Sequence, residues 1–569
     1  MTTLALSLLW TLGTVAALWL ALRLRVRPWM VFLLWLLPTL LLVLDFDRQT
    51  LSAHGLLHAS IVYDILERGA PPGHPLLGGE TLRYPWAHHW IAAAAARLLG
   101  VTPAAVFGAT GLLSLALFGL FLDRTAGEID PDVRYRILAV GLALFGPNPF
   151  SHGPLASALA RAGVPLEPRA VPWLKFQGVN SNHLGLMFSA LALLAILRAI
   201  GPETPRRSVY VLAGVSMLGS ALLYPMSFLT NGVWLVVAAA WLTLRKERAR
   251  AFGLLAAATL GTLPALPYLW QASTGRSAAG ALQIAPTLGY VLRQLEIVGV
   301  AVALPLVLLA LSRRSLKDDR ATVLVLCAVS ALAVFAFAFI TPLVAYKFLM
   351  ASLMPLGLLV AMPLRRLWET RPVPALACLL VLFLPFGMRM GSAVVDGWPA
   401  AQPLTHRGAY LEPLDPAERD LCRWIADHTP KDALFVDDRL TVPPFGRRQL
   451  FVGLSQPAPP PGTHDGWGMS SELILGEVTG ADPAKVELRK RIAGELLGGT
   501  GPVGEEILKS LAAEADGHPV YVIARGEDIA ARLSGGSAVP SGGLRPVYRR
   551  PAASVFQLQP VTAPGRSNR

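Results

Sequence analysis

LTNGVWLVVAAAWLTLRKERARAFGLLAAATLGTLPALPYLW (229–270) decides the fold: an apolar run, a short basic cluster, and a second apolar run. A helix rises about 1.5 Å per residue, so about 20 apolar residues cross a hydrocarbon core. The runs read as membrane spans 229–244 and 251–270. The cluster from Arg245 to Arg250 reads as the loop between them, held on one side of the membrane by its positive charge.

The same alternation extends outward over residues 1–392. Further spans are expected at 3–22, 29–45, 102–122, 136–150, 181–199, 208–226, 294–312, 321–341, 343–363 and 373–391, which makes about twelve in all. Basic clusters follow alternate spans: Arg23/Arg25/Arg27, Arg134/Arg136, Arg198/Arg206/Arg207, Arg245 to Arg250, Arg313 to Arg320, and Arg365/Arg366/Arg371. All six agree on one orientation, with these loops cytoplasmic and both termini outside. The first span precedes its positive charges and is long, so it reads as a retained helix and not a cleaved signal.

Composition fits this reading. Of 569 residues, 53% are hydrophobic and only 15% charged, well below the usual quarter for soluble chains. The formal net charge of +13 sits beside apolar spans, which removes nucleic acid as the expected partner. Cys327, Cys378 and Cys422 have neither metal-ligand spacing nor a disulfide framework. There is no P-loop, no Gly-rich nucleotide loop after a strand, and no nucleophilic Ser or Cys motif.

The expected domains are a transmembrane domain at 1–392 with a large outer loop at 46–101, an extracytoplasmic α/β domain at 393–560, and a disordered tail at 561–569. In the α/β domain, 416–428 reads as an amphipathic helix. Strands are expected at 433–438, 448–453, 519–524 and 554–558, with helices at 503–514 and 526–533.

The richest polar segment is DFDRQTLSAHGLLHASIVYDILERGAPPGHPLLGGETLRYPWAHHW (45–90). Asp45 and Asp47 stand where the second span leaves the membrane. Charge at that depth is costly, so it either caps the span among headgroups or serves chemistry. A helix is expected at 50–68, closed by Gly69 and Pro71. His54 and His58 are one turn apart and share a face. They suit a divalent metal, or hydrogen bonds to headgroups or backbone. Arg83, Tyr84, His88 and His89 follow.

With these features in place, the chain resembles the GT-C superfamily of membrane glycosyltransferases. The matching features are the acid just past a span (Asp45, Asp47), the surface helix at 50–68, the turn Gly69-Ala70-Pro71-Pro72, and the entry Tyr84-Pro85-Trp86. A fifth is AYKFLMASLMPLGLLVA (345–361), with Lys347 at the family's cationic position. Counted back from the turn, the family's common acid position falls on His54, and Asp47 lies seven residues earlier.

The resemblance implies sugar transfer from a polyprenyl-phosphate donor at the outer face of a bacterial inner membrane, to a glycan, lipid or protein acceptor. Asp47 or Asp45 would take the acceptor's proton. Arg83 or Lys347 would meet the phosphate, Tyr84 would stack on the sugar, and His54, His88 and His89 would help bind the substrate. The spacing of His54 and His58, apart from the resemblance, leaves a divalent metal as the one cofactor expected. Two other classes stand beside this one: a transporter or flippase of a lipid-linked glycan, and a non-catalytic assembly partner of the same architecture.

Overall fold

The computed structural model describes residues 3–27, 55–145, 182–273, 283–284, 304–310, 318–339, 342–395, 416–454, 474–535 and 543–559. In chain order the helices are α1 (Thr3–Leu24), α2 (Gly55–Arg68), α3 (Ala87–Leu99), α4 (Pro103–Ile129), α5 (Val133–Phe145), α6 (Asn182–Ile200) and α7 (Arg207–Leu223). They continue with α8 (Pro225–Leu244), α9 (Arg248–Thr262), α10 (Leu266–Ser273), α11 (Asp319–Phe337), α12 (Pro342–Thr370) and α13 (Pro372–Val395). Four more lie in the tail: α14 (Pro416–His428), α15 (Pro483–Gly498), α16 (Glu505–Glu514) and α17 (Glu527–Gly535). Ten of the expected spans coincide with helices; 29–45 and most of 294–312 lie outside the described residues.

The chain divides into two compact units. The first comprises Met1–Asp45, Gly108–Leu269 and Leu282–Leu404; the second comprises Phe46–Phe107, Trp270–Ala281 and Thr405–Arg569.

The first unit is helical. Among the described residues, four stretches are long and apolar enough to cross a membrane: Ala5–Leu24, Ala109–Ile129, Pro225–Leu244 and Arg248–Ala272. They make the chain an integral membrane protein. Their outward faces carry exposed Leu, Val and Phe, as lipid contact requires. Close packing needs small residues where helices cross. At Gly387 on α13, a Cβ would stand 1.9 Å from Thr11 Oγ1 and 2.6 Å from the Ser7 carbonyl oxygen of α1. That crossing admits only glycine.

The basic clusters meet at one end of this unit. Arg136 donates to Asp123 (2.9 Å), Arg198 to Glu128 (2.8 Å) and Arg245 to Asp319 (3.0 Å). Arg365 pairs with Asp130, and Arg250 donates to the Gly201 carbonyl (2.8 Å). Arginines of four clusters expected on one side are therefore gathered by a web of ion pairs and carbonyl contacts.

The second unit is built on a mixed five-stranded sheet: β1 (Leu434–Val436), β2 (Gln449–Leu450), β3 (Val520–Ala524), β4 (Leu544–Arg550) and β5 (Ala553–Leu558), in the order β2-β1-β3-β5-β4. β1 runs parallel to β2 and β3, while β5 is antiparallel to β3 and β4. All four expected strands are present. β4 (LRPVYRR) was not foreseen, because proline and three arginines argue against a strand. Those residues suit an edge, where charge, proline and the register shift between Pro546 and Tyr548 discourage further pairing. Helix α15 was also missed, although Asp482 caps it through the Ala484 amide and Pro483 opens it.

Candidate functional site

α2 forms because apolar side chains recur at helical spacing, burying Leu57, Ile61, Val62 and Ile65. Gly69, at φ +93°, ends it, and its amide caps the Ile65 carbonyl. Three polar residues of α2 are buried: His58 near the start, Ser60, and Asp64 near the end.

His58 meets His89 of α3. Their Nδ1 and Nε2 atoms lie 2.7 Å apart, and the rings stack with centroids 5.0 Å apart. One imidazole must donate and the other accept, so the contact needs at least one neutral ring. Tyr84 and Phe107 close around both rings, and His88 stands against His89 and Phe107. Burial, then the neighbouring His88, hold His89 well below the usual imidazole range, against the opposing pull of the Trp86 and Pro85 carbonyls. Above this buried layer, Arg83, Tyr84, Pro85 and Trp86 are half-buried and reachable.

The structure therefore brings His58, Tyr84, His88 and His89 together, with Arg83 adjacent in sequence. Asp45, Asp47 and His54 lie outside the described residues. Lys347 falls in the second turn of α12, and its side chain is likewise not described. His58 uses Nδ1 on His89 at a distance shorter than two ligands of one tetrahedral zinc adopt at bond lengths of about 2.0–2.1 Å. Among the described residues, no three His, Cys, Asp or Glu side chains gather as metal ligands.

The other end of α2 is fastened to the tail. Asp64 pairs with Arg68, accepts from the Gly73 amide (2.7 Å), and accepts from Gln449 Nε2 (3.0 Å). Glu67 meets Lys431 at 3.1 Å, and Arg447 lies over the Tyr63 ring. Residues 75–78 then line the free edge of β2. The Leu450 amide donates to the Pro75 carbonyl (2.9 Å), Gly78 to Leu450 (2.6 Å) and Gly453 to Leu76 (2.8 Å). Arg489 locks the pairing, donating to both the Gly78 and Phe451 carbonyls. A Cβ on Gly78 would stand 2.4 Å from Leu434 Cδ2 and 2.8 Å from the Leu450 oxygen, so only glycine fits.

His74 anchors the same loop. Its Nδ1 accepts from the Leu76 amide (3.0 Å), which leaves Nε2 to donate to Thr479 Oγ1 (2.8 Å). The bond accepted by Nδ1 requires the neutral ring. Burial, with Arg83 adding to it, lowers its pKa to about 3. Below pH 6.5 the unfolded histidine binds a proton that the folded one refuses. Stability of this unit should therefore fall as pH drops below 6.5, by roughly 2 kcal/mol at pH 5 from His74 alone, levelling near pH 3. Thermal melts of detergent-solubilised protein at pH 5 and 7.5 should show a smaller pH difference in His74→Gln. An unchanged difference would refute the assignment.

The roles of Asp64, His74, Gln449 and Arg489 escaped the sequence reading. Only Asp64 carries a local signal, as an acid on the apolar stripe of α2.

No family model and no curated protein matches the chain. Solved structures do. ArnT from Cupriavidus metallidurans in the apo state aligns at TM-score 0.50 and 13% identity, covering 93% of this chain and 97% of that one. The same protein bound to undecaprenyl phosphate gives 0.48 and 14%, over 93% and 98%. An Archaeoglobus fulgidus oligosaccharyltransferase gives 0.45 and 12%, over 86% and 67%. The chain thus shares the fold of ArnT over nearly its whole length.

Proposed function

We propose that the chain is a GT-C-type glycosyltransferase of a bacterial inner membrane. It would transfer a sugar from a polyprenyl-phosphate donor to an acceptor at the outer face, where the tail also lies. The observation that carries this reading is the cluster in the first long loop: reachable Arg83 and Tyr84 held over the buried His58–His89 pair. The ArnT-like fold is its frame.

The roles follow from exposure and charge. Arg83, and Lys347 from α12, neutralise the phosphate that leaves with the polyprenyl chain. Tyr84 offers a ring face and a hydroxyl to the sugar. His58, His88 and His89 are buried, so they shape the site and leave substrate contact to Arg83 and Tyr84. Asp47, with Asp45 beside it in sequence, removes the acceptor's proton as the new glycosidic bond forms.

The deciding experiment uses purified full-length protein in nanodiscs with a panel of undecaprenyl-phosphate sugars and a mixed glycan and lipid acceptor extract. Labelled sugar should appear in acceptor and disappear from the donor. Absence of transfer with every donor would overturn the proposal.

One observation favours a transporter or flippase instead. Ser189 of α6 and Thr230 and Asn231 of α8 are buried, and their side-chain polar atoms have no hydrogen-bond partner among the described residues. Polar groups inside spans often mark a transport path. Under that reading, Asn231→Leu should slow movement of a fluorescent lipid-linked glycan across vesicles at least about tenfold, as loss of a site of about 1.4 kcal/mol would. Equal rates in wild type and variant would dismiss it.

A further inference from the structure

We propose that Gln449, in the tail, is a positioning residue for the Arg83–Tyr84–His89 surface of the first loop. One side chain of β2 holds three points of that loop. Gln449 Nε2 donates to Asp64 on α2, and Gln449 Oε1 accepts from the Gly79 amide at 3.0 Å. Through Asp64 it also reaches the Gly73 amide. Gly73 has no room for a side chain, because a Cβ would stand 1.9 Å from Gln449 Nε2.

Gln449 and Asp64 are both almost wholly buried. Water cannot replace these bonds when one is lost, so each is costly to break. The three points are the last turn of α2 and both arms of the loop that leads into Arg83 and Tyr84. That loop closes on itself through the His74 amide to the Glu80 carbonyl (2.7 Å) and the Leu82 amide to the Pro72 carbonyl (3.0 Å). Fixing both arms fixes where residue 83 emerges. Fixing Asp64 sets the rotation of α2, and with it the direction in which His58 faces His89, six residues earlier on the same helix. The tail thus acts on the reactive surface without touching substrate.

The hydrogen-bond pattern can be redrawn with donor and acceptor exchanged. In Asp64→Asn/Gln449→Glu, the carboxamide at 64 would donate to the carboxylate at 449, which in place of Asp64 would take the Arg68 guanidinium. The Gly73 and Gly79 amides would still find oxygen acceptors. Gln449→Glu alone instead sets two carboxylates side by side in a buried site where Arg68 offsets only one of the two charges.

The test uses full-length protein in nanodiscs and two readouts on wild type, Gln449→Glu and the exchanged pair. Hydrogen exchange of peptides covering 55–68 and 83–89 should speed about tenfold in Gln449→Glu, less so at pH 5.5 than at 7.5. It should return to within about twofold of wild type in the exchanged pair. The second readout rests on the transferase proposal: KM for the undecaprenyl-phosphate sugar should rise about tenfold in Gln449→Glu, with kcat within about twofold, and recover in the exchanged pair. Unchanged exchange at 83–89, or failure of the exchanged pair to recover, overturns the inference. Absence of transfer by wild type would defeat the transferase proposal alone, since the exchange measurement still decides this one.

Discussion

Arg525→Met should destabilise the second unit by about 3–5 kcal/mol at neutral pH, the usual cost of removing one partner from a buried ion pair. β1 and β3 are parallel neighbours, so the residues that follow them emerge side by side. Arg525 follows β3 and Asp437 follows β1. The guanidinium donates to both Asp437 oxygens at 2.8 Å. Its other side meets Glu418 of α14, where Nη2 to Oε1 is 2.8 Å. Thr441 and Arg439 also reach Glu418. Burial pushes Asp437 up to about 6 despite Arg525. Burial would also raise Glu418, but the hydrogen bonds and charge of Arg525 hold it below the ordinary carboxylate range.

Methionine would keep the volume and strand two carboxylates in a dry site. Both would then titrate higher in the folded state than in the unfolded one. The folded variant would bind the extra protons, so its deficit shrinks as pH falls from 7.5 to 5.5. Proteolysis of the tail, followed across temperature at both values, reads this directly. Wild-type resistance at pH 7.5 would show that the three groups do not act as one network.

Asp47→Asn is expected to lower transfer by about 10²–10⁴-fold, the range for losing a general base. The carboxamide keeps the shape and the hydrogen-bonding reach but cannot accept the acceptor's proton. Donor affinity should hold, because the proposed phosphate contacts are Arg83 and Lys347, not Asp47. Binding of undecaprenyl phosphate to wild type and variant should therefore agree within about threefold, a difference below roughly 0.7 kcal/mol. Asp45→Asn is the companion measurement. If it, and not Asp47→Asn, abolishes transfer, the base is Asp45. If both variants transfer at the wild-type rate, neither acid is the base and the mechanism fails.

The parts of this architecture that were legible in the sequence rest on local physics. Apolar runs of span length and intervening arginines mark α8 and α9 on sight, and the same periodicity gives α14. The strands LFV (434–436) and VYVIA (520–524) announce themselves through β-branched and aromatic residues. β4 was hidden because edge protection and strand propensity pull its composition in opposite directions. In the site, His58, His88 and His89 could be picked out by type and spacing, but their packing as a hydrogen-bonded stack could not. The fastening of the loop to the tail left no trace at all. Asp64 and Gln449 are 385 residues apart, and neither periodicity nor spacing carries a signal across that gap. Gln449 reads as an ordinary polar residue in a short strand until its partners are seen.

The pairing of residues 75–78 with the edge at Leu450 has a consequence in time. A ribosome adds about 5–20 residues per second, so the loop segment exists for roughly 20–75 seconds before its partner edge is made. Throughout that interval the carbonyls of Pro75 and Leu76 and the amide of Gly78 lack the partners that hold them in the finished protein. Any product that stops short of residue 450 never acquires them. Premature termination should therefore produce not a smaller working protein but a nascent chain recognisable to quality-control proteases by a loop without its edge.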